Sequence, residues 1–327
     1  MRAWQVGELG EPSAVMRLAE DVARPEPGPD QLLVRVRAAA VNFADALMAR
    51  GQYQVRPSLP FTPGLELCGE IVDGPRRGER VIGNPVLPHG SFAEYALLDA
   101  GAAFPAPEAL DDAEAATLHI GYQTAWFALH RRARLQPGET LLVHAAAGGV
   151  GSAAVQLGRA AGARVVAVVG GAAKAETARA LGADLVVDRR ADGAAGDFVA
   201  AVKEFTGGRG ADVVFDPVGG AAYTGSTKCV AFEGRIVVVG FAAGQIPAPP
   251  LNHALVKNYS ILGLHWGLYN THDPQAVRAA HDELTKLAAQ GAVRPLVSAR
   301  VPLDRAATAV QAVADGHSTG RIVVLGD

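Results

Sequence analysis

The sequence predicts an α/β protein made of an irregular β module and a doubly wound parallel sheet. Three observations predict it. From Thr140 onward, strand-like and helix-like segments alternate, the pattern that builds a parallel sheet covered on both faces. A glycine-rich turn, Ala146-Ala147-Gly148-Gly149-Val150-Gly151, joins the first of these strands to the first of these helices. Before Asp111 the chain carries short apolar runs broken by Gly and Pro, with few helical signals, as in a β domain with long loops.

Within the β module, residues 31–38 alternate apolar and polar with period two after the turn-rich Pro25-Glu26-Pro27-Gly28-Pro29. They predict a half-buried antiparallel strand. Further strands are expected at 68–72, 80–82 and 92–98. Helical periodicity begins near Ala113, through 115–118 and then 123–129. The alternating region then predicts strands at 141–145, 164–169, 184–187, 212–215, 235–239 and 260–264, with helices at 151–161, 173–181 and 196–205. A tail follows: an amphipathic segment 274–290, a strand 296–301, a helix 304–314 and a strand 321–325. Because six strands already complete the parallel sheet, the tail is expected to return to the first module. The expected division is residues 1–122 with 266–327, and residues 123–265.

Composition narrows the function classes. With 327 residues, 49% hydrophobic and 19% charged, the chain suits two folded domains rather than a disordered polymer. The net charge is −3 and no basic stripe appears, so a nucleic-acid partner is not expected. Two cysteines, Cys68 and Cys229, support neither a disulfide framework nor a four-cysteine zinc lobe. The N-terminal residues lack the apolar core of a signal peptide, and no run of about 18 uncharged apolar residues is present. A cytoplasmic protein without a membrane partner is the expectation.

The glycine-rich turn carries the chemistry. A dinucleotide pyrophosphate needs backbone amides at a helix N-terminus and no side chain in its way. Gly148 permits close backbone approach and Gly151 permits tight helix packing, while Ala146 replaces the first glycine of the usual fingerprint. An acid about 20 positions past the turn would hold the ribose 2′-hydroxyl of NAD. Here that point reads Val169-Gly170-Gly171-Ala172-Ala173-Lys174, and Arg189-Arg190 close the next strand. Cations without a carboxylate suit a 2′-phosphate, so NADPH is the expected cofactor. His144, inside the first strand of the sheet, reads as a packed core residue.

Beyond the turn, the chain resembles the medium-chain dehydrogenase/reductase superfamily, in its zinc-independent quinone oxidoreductase (zeta-crystallin-like) branch. The resemblance runs through Val41-Asn42-Phe43-Ala44-Asp45, Gly51-Gln52-Tyr53, Leu59-Pro60-Phe61-Thr62-Pro63-Gly64-Leu65-Glu66, Gly90-Ser91-Phe92-Ala93-Glu94-Tyr95, residues 145–151, Leu181-Gly182-Ala183-Asp184 and Gly320-Arg321-Ile322-Val323. It implies a GroES-like β domain, a Rossmann domain binding NADP and a C-terminal return to the first. Zinc-dependent members carry Gly-His-Glu where this chain has Gly64-Leu65-Glu66. Leucine cannot ligate a metal, so no metal is expected.

The resemblance further implies an NADPH:quinone oxidoreductase-like reductase that transfers hydride to a quinone or enone. The alternatives are a reductase of 2-enoyl thioesters and a catalytically weak NADPH-binding structural or regulatory protein. Tyr53 and Asn42 are the catalytic candidates, with an aromatic packing role as the competing reading of Tyr53. The cofactor-binding set is Asn42, Thr124, Ala147, Gly148, Gly149, Val150, Gly151, Gly171, Lys174, Arg189, Val218, Phe241, His265 and Trp266. The last four include residues at ends of strands, where open α/β sheets bind ligands. Asp45 and Glu66 are expected to serve the fold. An apolar last strand at a sheet edge favours a homodimer.

Overall fold

The computed structural model describes residues 1–191 and 196–326. The chain divides into two compact units, one of Met1–Ile120 with His281–Asp327 and one of Gly121–Ala280. Residues 266–280, expected with the first module, thus lie in the second unit.

The first unit opens with β1 (Ala3–Val6), α1 (Pro12–Val15) and β2 (Met16–Ala19), the two strands pairing antiparallel. It continues through β3 (Gln31–Ala40), α2 (Phe43–Ala49), β4 (Leu67–Ile71), β5 (Arg80–Gly83), β6 (Tyr95–Asp99) and β7 (Phe104–Pro105). Strand β3 is the hub, antiparallel to β4 and to β6. Its exposed Arg35 and Arg37 alternate with buried Val34, Val36 and Ala38, which explains the period of two in the sequence. Helix α2 was not legible as a helix, because its seven residues are too few to establish a period.

Helix α3 (Asp112–Trp126) is continuous and runs into a π-helical turn, Phe127–Arg132, over the stretch where the sequence shows a helical period. The second unit then alternates β8 (Thr140–His144), α4 (Gly149–Ala160), β9 (Arg164–Val169), α5 (Ala172–Ala180), β10 (Leu185–Asp188) and α6 (Phe198–Phe205). It goes on through β11 (Ala211–Asp216), α7 (Gly220–Cys229), β12 (Val230–Val238), α8 (Leu251–Lys257), β13 (Ser260–Gly263) and α9 (Tyr269–His272). All neighbours in the sheet are parallel, in the order β10-β9-β8-β11-β12-β13. This is the doubly wound order, which reverses direction beside the first strand. Leu142, Val166, Val168, Val214 and Ile236 fill the core on one face, as branched aliphatic residues do in strands buried on both sides.

After α10 (Pro274–Ala289), the tail adds β14 (Val297–Pro302), α11 (Ala306–Ala314) and β15 (Arg321–Leu325). Strand β15 is parallel to β14 and antiparallel to β3, so the tail completes the first unit as expected. Val310 and Val324 from this tail share one core with Val34, Phe61, Phe92 and Leu98. Among the described residues, no helix is long and apolar enough to cross a membrane.

Candidate functional site

Strand β8 ends at His144, one residue earlier than the sequence suggests, and Ala145 enters the turn with φ 49°. Gly148 caps α4 with φ −89° and no side chain bonds to the first turn. The opening amides of α4 are therefore not satisfied by a side-chain cap, and amides at such a terminus attract anions. A Cβ at Gly151 would collide with the Ala145 carbonyl, and one at Gly148 would come within 3.1 Å of the same oxygen. Gly151 is thus required by packing of turn against helix, and Gly148 leaves little room for a side chain. Ala146 and Ala147 are buried beneath the turn, and Gly149 and Val150 form the half-buried start of α4.

The ends of β9 and β10 lie side by side and bring three cations together. Gly171 takes φ 106° ahead of α5, a conformation that favours glycine. Its amide donates to Asp188 Oδ1 at 2.7 Å, and the Arg190 amide donates to the same oxygen at 3.0 Å. These amide bonds hold the Asp188 carboxyl below its ordinary range. The Arg189 and Arg190 guanidinium groups lie over Gly170, so that a Cβ there would meet Nε of each at 3.3 Å. Lys174, in the first turns of α5, joins them. Burial and the charges of Arg190 and Arg189 lower its pKa. The sequence pointed to Lys174 and Arg189. It did not reveal Asp188, whose only signal is an acid closing a strand just before the arginine pair.

The other expected cofactor residues of this unit follow further strand ends. Val218 comes after β11, and its amide donates to Asp216 Oδ1 at 2.8 Å. Phe241 follows β12 and is 38% exposed. His265 is half-buried after β13. Trp266 is 6% exposed, with Nε1 donating to Gln123 Oε1 at 3.3 Å. Its indole is thereby a packing element of the second unit. Thr124 is buried on α3. His144 lies in the core, its Nε2 2.7 Å from Ser226 Oγ, and burial drives its pKa down to about 4.

In the first unit, Asn42 caps α2, and Asp45 Oδ2 reaches back to accept the Asn42 amide at 2.7 Å. Asp45 Oδ1 accepts the Gly64 amide at 3.1 Å. Burial pushes this carboxyl up to about 7 against those two bonds. The Asn42 side chain donates to Glu66 Oε1 at 2.9 Å and accepts from Arg321 Nη1 at 2.8 Å. Arg321 Nη2 also pairs with Glu66 Oε1, and Glu66 Oε2 accepts the Ile120 amide at 2.8 Å. Burial raises the Glu66 pKa, and Arg321 opposes that rise. The network ties α2, β15 and α3 together. In the sequence Arg321 stands only as part of the Gly320-Arg321-Ile322-Val323 segment, where its partners are not legible.

Tyr53 is half-buried against the core of the same unit. Burial raises its pKa, and the charge of Asp45 adds to the rise. Leu65 also packs on this core. Among the described residues, no group of three or more His, Cys, Asp or Glu side chains is arranged to hold a metal ion.

Residues 28–108 match the alcohol dehydrogenase GroES-like domain family and residues 149–286 the zinc-binding dehydrogenase family. The chain is 38% identical to a quinone oxidoreductase-like protein 2 homolog of Nematostella vectensis, over 99% of this chain and 88% of that one. It resembles the solved quinone oxidoreductase of Thermus thermophilus, also solved in complex with NADPH, at 34% identity and TM-score 0.86, covering 99% and 100% of the two chains. The Escherichia coli quinone oxidoreductase complexed with NADPH gives TM-score 0.89 at 27% identity, covering 99% and 100%. The glycine turn, the parallel sheet and these likenesses agree: the chain belongs to the medium-chain dehydrogenase/reductase superfamily, in its zinc-independent quinone oxidoreductase branch.

Proposed function

We propose that this protein is an NADPH-dependent oxidoreductase that delivers hydride to a quinone or enone without a catalytic zinc. The observation that carries the reading is the cluster of Lys174, Arg189 and Arg190 around Gly170 and Gly171, one strand away from the Gly148–Gly151 turn. A dinucleotide with a 2′-phosphate fits both features. Its pyrophosphate would be held at the amides of α4, with Gly148 keeping the approach open, and its 2′-phosphate would be held by the three cations. The related structures solved with NADPH support the same cofactor. Bound there, NADPH supplies the hydride.

The chain's own residues supply the rest. Reduction of a carbonyl compound places negative charge on its oxygen, and a hydrogen-bond donor lowers the barrier. Tyr53 suits that role, since its raised pKa keeps the hydroxyl protonated at neutral pH and no partner in the described protein binds it. It would pass its proton to the reduced oxygen and regain one from water. Asn42 acts one step back, because its amide is engaged with Glu66 and Arg321 and holds the start of α2. Leu65 stands where a zinc ligand would be needed, which supports metal-free chemistry.

A homodimer is part of the proposal. Among the described residues, strand β13 pairs only with β12 and leaves an open edge. Beside it in sequence, α8 exposes Leu251, Leu255 and Val256, each at about three-quarters. Open edges and apolar faces of this kind are covered by symmetric pairing in many proteins. Sedimentation should give a dimer, converted to monomer by L255E with V256E. A wild-type monomer contradicts this part.

The deciding experiment follows NADPH oxidation with a panel of quinones, enones and 2-enoyl thioesters, with NADH in parallel. Turnover with quinones or enones supports the proposal. Turnover confined to enoyl thioesters replaces the acceptor, and tight NADPH binding with no turnover replaces the enzyme by a binding protein.

A further inference from the structure

Away from the nucleotide edge of the parallel sheet, the second unit holds a cavity of about 270 Å³. It lies at the amino ends of β11 and β12, where Gly210 precedes the first and Val230 opens the second. The turn at Gly148 follows the carboxyl end of β8, so the cavity is at the other end of the strands. Lys203, Lys228, Lys257 and Arg209 line it, with Cys229 and Phe232, and among the described residues no acidic side chain lines it.

The charge balance of this wall is unusual for a chain of net charge −3. Arg209 is neutralised by Asp212, with both nitrogens at 3.0 Å. Asp197, whose charge acts on Cys229, spends its carboxylate on the amides of Val199 and Ala200 at the start of α6. Lys203, Lys228 and Lys257 have no ion pair in the described structure. Lys257 donates to the Thr227 carbonyl at 2.8 Å, and burial together with the charge of Lys203 lowers its pKa. Each lysine stands in the last turn of a helix, α6, α7 or α8. One lysine at a helix C-terminus offsets that helix's dipole, which amounts to about half a charge. Three full charges therefore exceed what three helix ends require. Bringing like charges together around a cavity is unfavourable unless an anion occupies it.

We propose that this cavity binds a compact polyphosphate anion, held by Lys203, Lys228 and Lys257, independently of the cofactor site. Phosphate oxygens satisfy several ammonium donors at once and match the excess charge. Phe232, 70% exposed at the wall, offers an apolar face to an organic group carried by the phosphate. The site would be sensitive to salt, since its attraction is electrostatic and partly open to solvent.

The test is calorimetric titration of the NADPH-saturated protein with pyrophosphate and, separately, with ADP, so that the cofactor site cannot answer. Binding that weakens by about tenfold for each of K203Q, K228Q and K257Q, and that weakens with added salt, is expected. Tighter binding of ADP than of pyrophosphate identifies a nucleotide as the ligand class, and equal binding identifies free polyphosphate. Absence of binding in the NADPH-saturated wild type overturns the proposal. So does binding that survives unchanged in the triple variant, provided far-UV circular dichroism and NADPH affinity show that variant to be folded. A fall in melting temperature on lysine removal, with no ligand bound by the wild type, assigns the lysines to the helix ends alone and also overturns it.

Discussion

Asp188 accepts a hydrogen bond from the Gly171 amide through Oδ1 at 2.7 Å, which fixes the end of β10 against the turn that leads into α5. An acid near a phosphate site would ordinarily repel the ligand. This one is committed to backbone amides, and Lys174, Arg189 and Arg190 gather beside it at the proposed 2′-phosphate site. Lys174→Ala is expected to raise the Kd for NADPH by about 10–100-fold, the range for a hydrogen bond to a charged group. The Kd for NADH should hardly move. Fluorescence titration with both nucleotides checks this, and an unchanged NADPH preference removes Lys174 from the phosphate site. Asp188→Ala should reduce the same preference to a smaller extent, through the loosened turn.

Tyr53→Phe removes the hydroxyl and leaves the ring packed on its core. Turnover should fall by about 10²–10⁴-fold, the contribution of a positioned proton donor, while NADPH affinity stays the same. Because burial and Asp45 raise the Tyr53 pKa above the ordinary value of 10, the wild-type rate should show no loss from this group until the pH exceeds that value. Steady-state kinetics of the variant and a pH–rate profile test the two statements. Unchanged kinetics in Tyr53→Phe leave it a packing residue.

Arg321→Met leaves Glu66 buried without its cation and removes one donor from the Asn42 side chain. Removing one partner of a buried ion pair costs about 3–5 kcal/mol, and thermal or urea unfolding should register a loss of that size. A double variant, Glu66→Gln with Arg321→Met, should recover part of it, because no lone charge remains. Wild-type stability in the single variant would show that the network is not needed to hold the first unit.

Two buried histidines set a pH dependence. Burial lowers His119 to about 3 and His144 to about 4, from 6.5. In the unfolded chain both take up protons near 6.5, while the folded protein resists. Stability is therefore present above pH 6.5 and declines as the pH falls toward 4, by about 1.4 kcal/mol per pH unit for each histidine. The raised carboxyls of Asp45 and Glu66 act in the opposite direction. The histidine effect is thus read as the difference between wild type and His144→Gln in urea titrations at several pH values. Parallel profiles for the two proteins would contradict it.

The order of the fold was legible in the sequence to the extent that it is written locally. Valine-rich strands with a helix after each one, and a glycine turn after the first, are patterns within a window of some 30 residues. Tertiary pairing is not local. Asp188 meets Gly171, 17 positions away, only because β9 and β10 pair as neighbours, and that pairing is not written in the residues between them. Arg321 opens an apolar strand and meets Asn42 across 279 positions, which hides a charged residue's partner from any local reading. Helix α2 was hidden differently: its cap comes from Asn42 and Asp45, and seven residues give no period. The candidate site divides the same way. The turn and Lys174 were legible, whereas the engagement of the Asn42 amide and the burial of Trp266 needed the folded chain.

The bond between Glu66 and Arg321 also imposes a timetable on synthesis. The partners are separated by 255 positions, and the ribosome adds about 5–20 residues per second. For some tens of seconds, then, the nascent first unit holds the Glu66 carboxylate without its cation and the edge of β3 without β15. Meanwhile all of the second unit, contiguous in the chain, emerges and is free to fold. The fold that is counted first along the sequence is the one finished last in time.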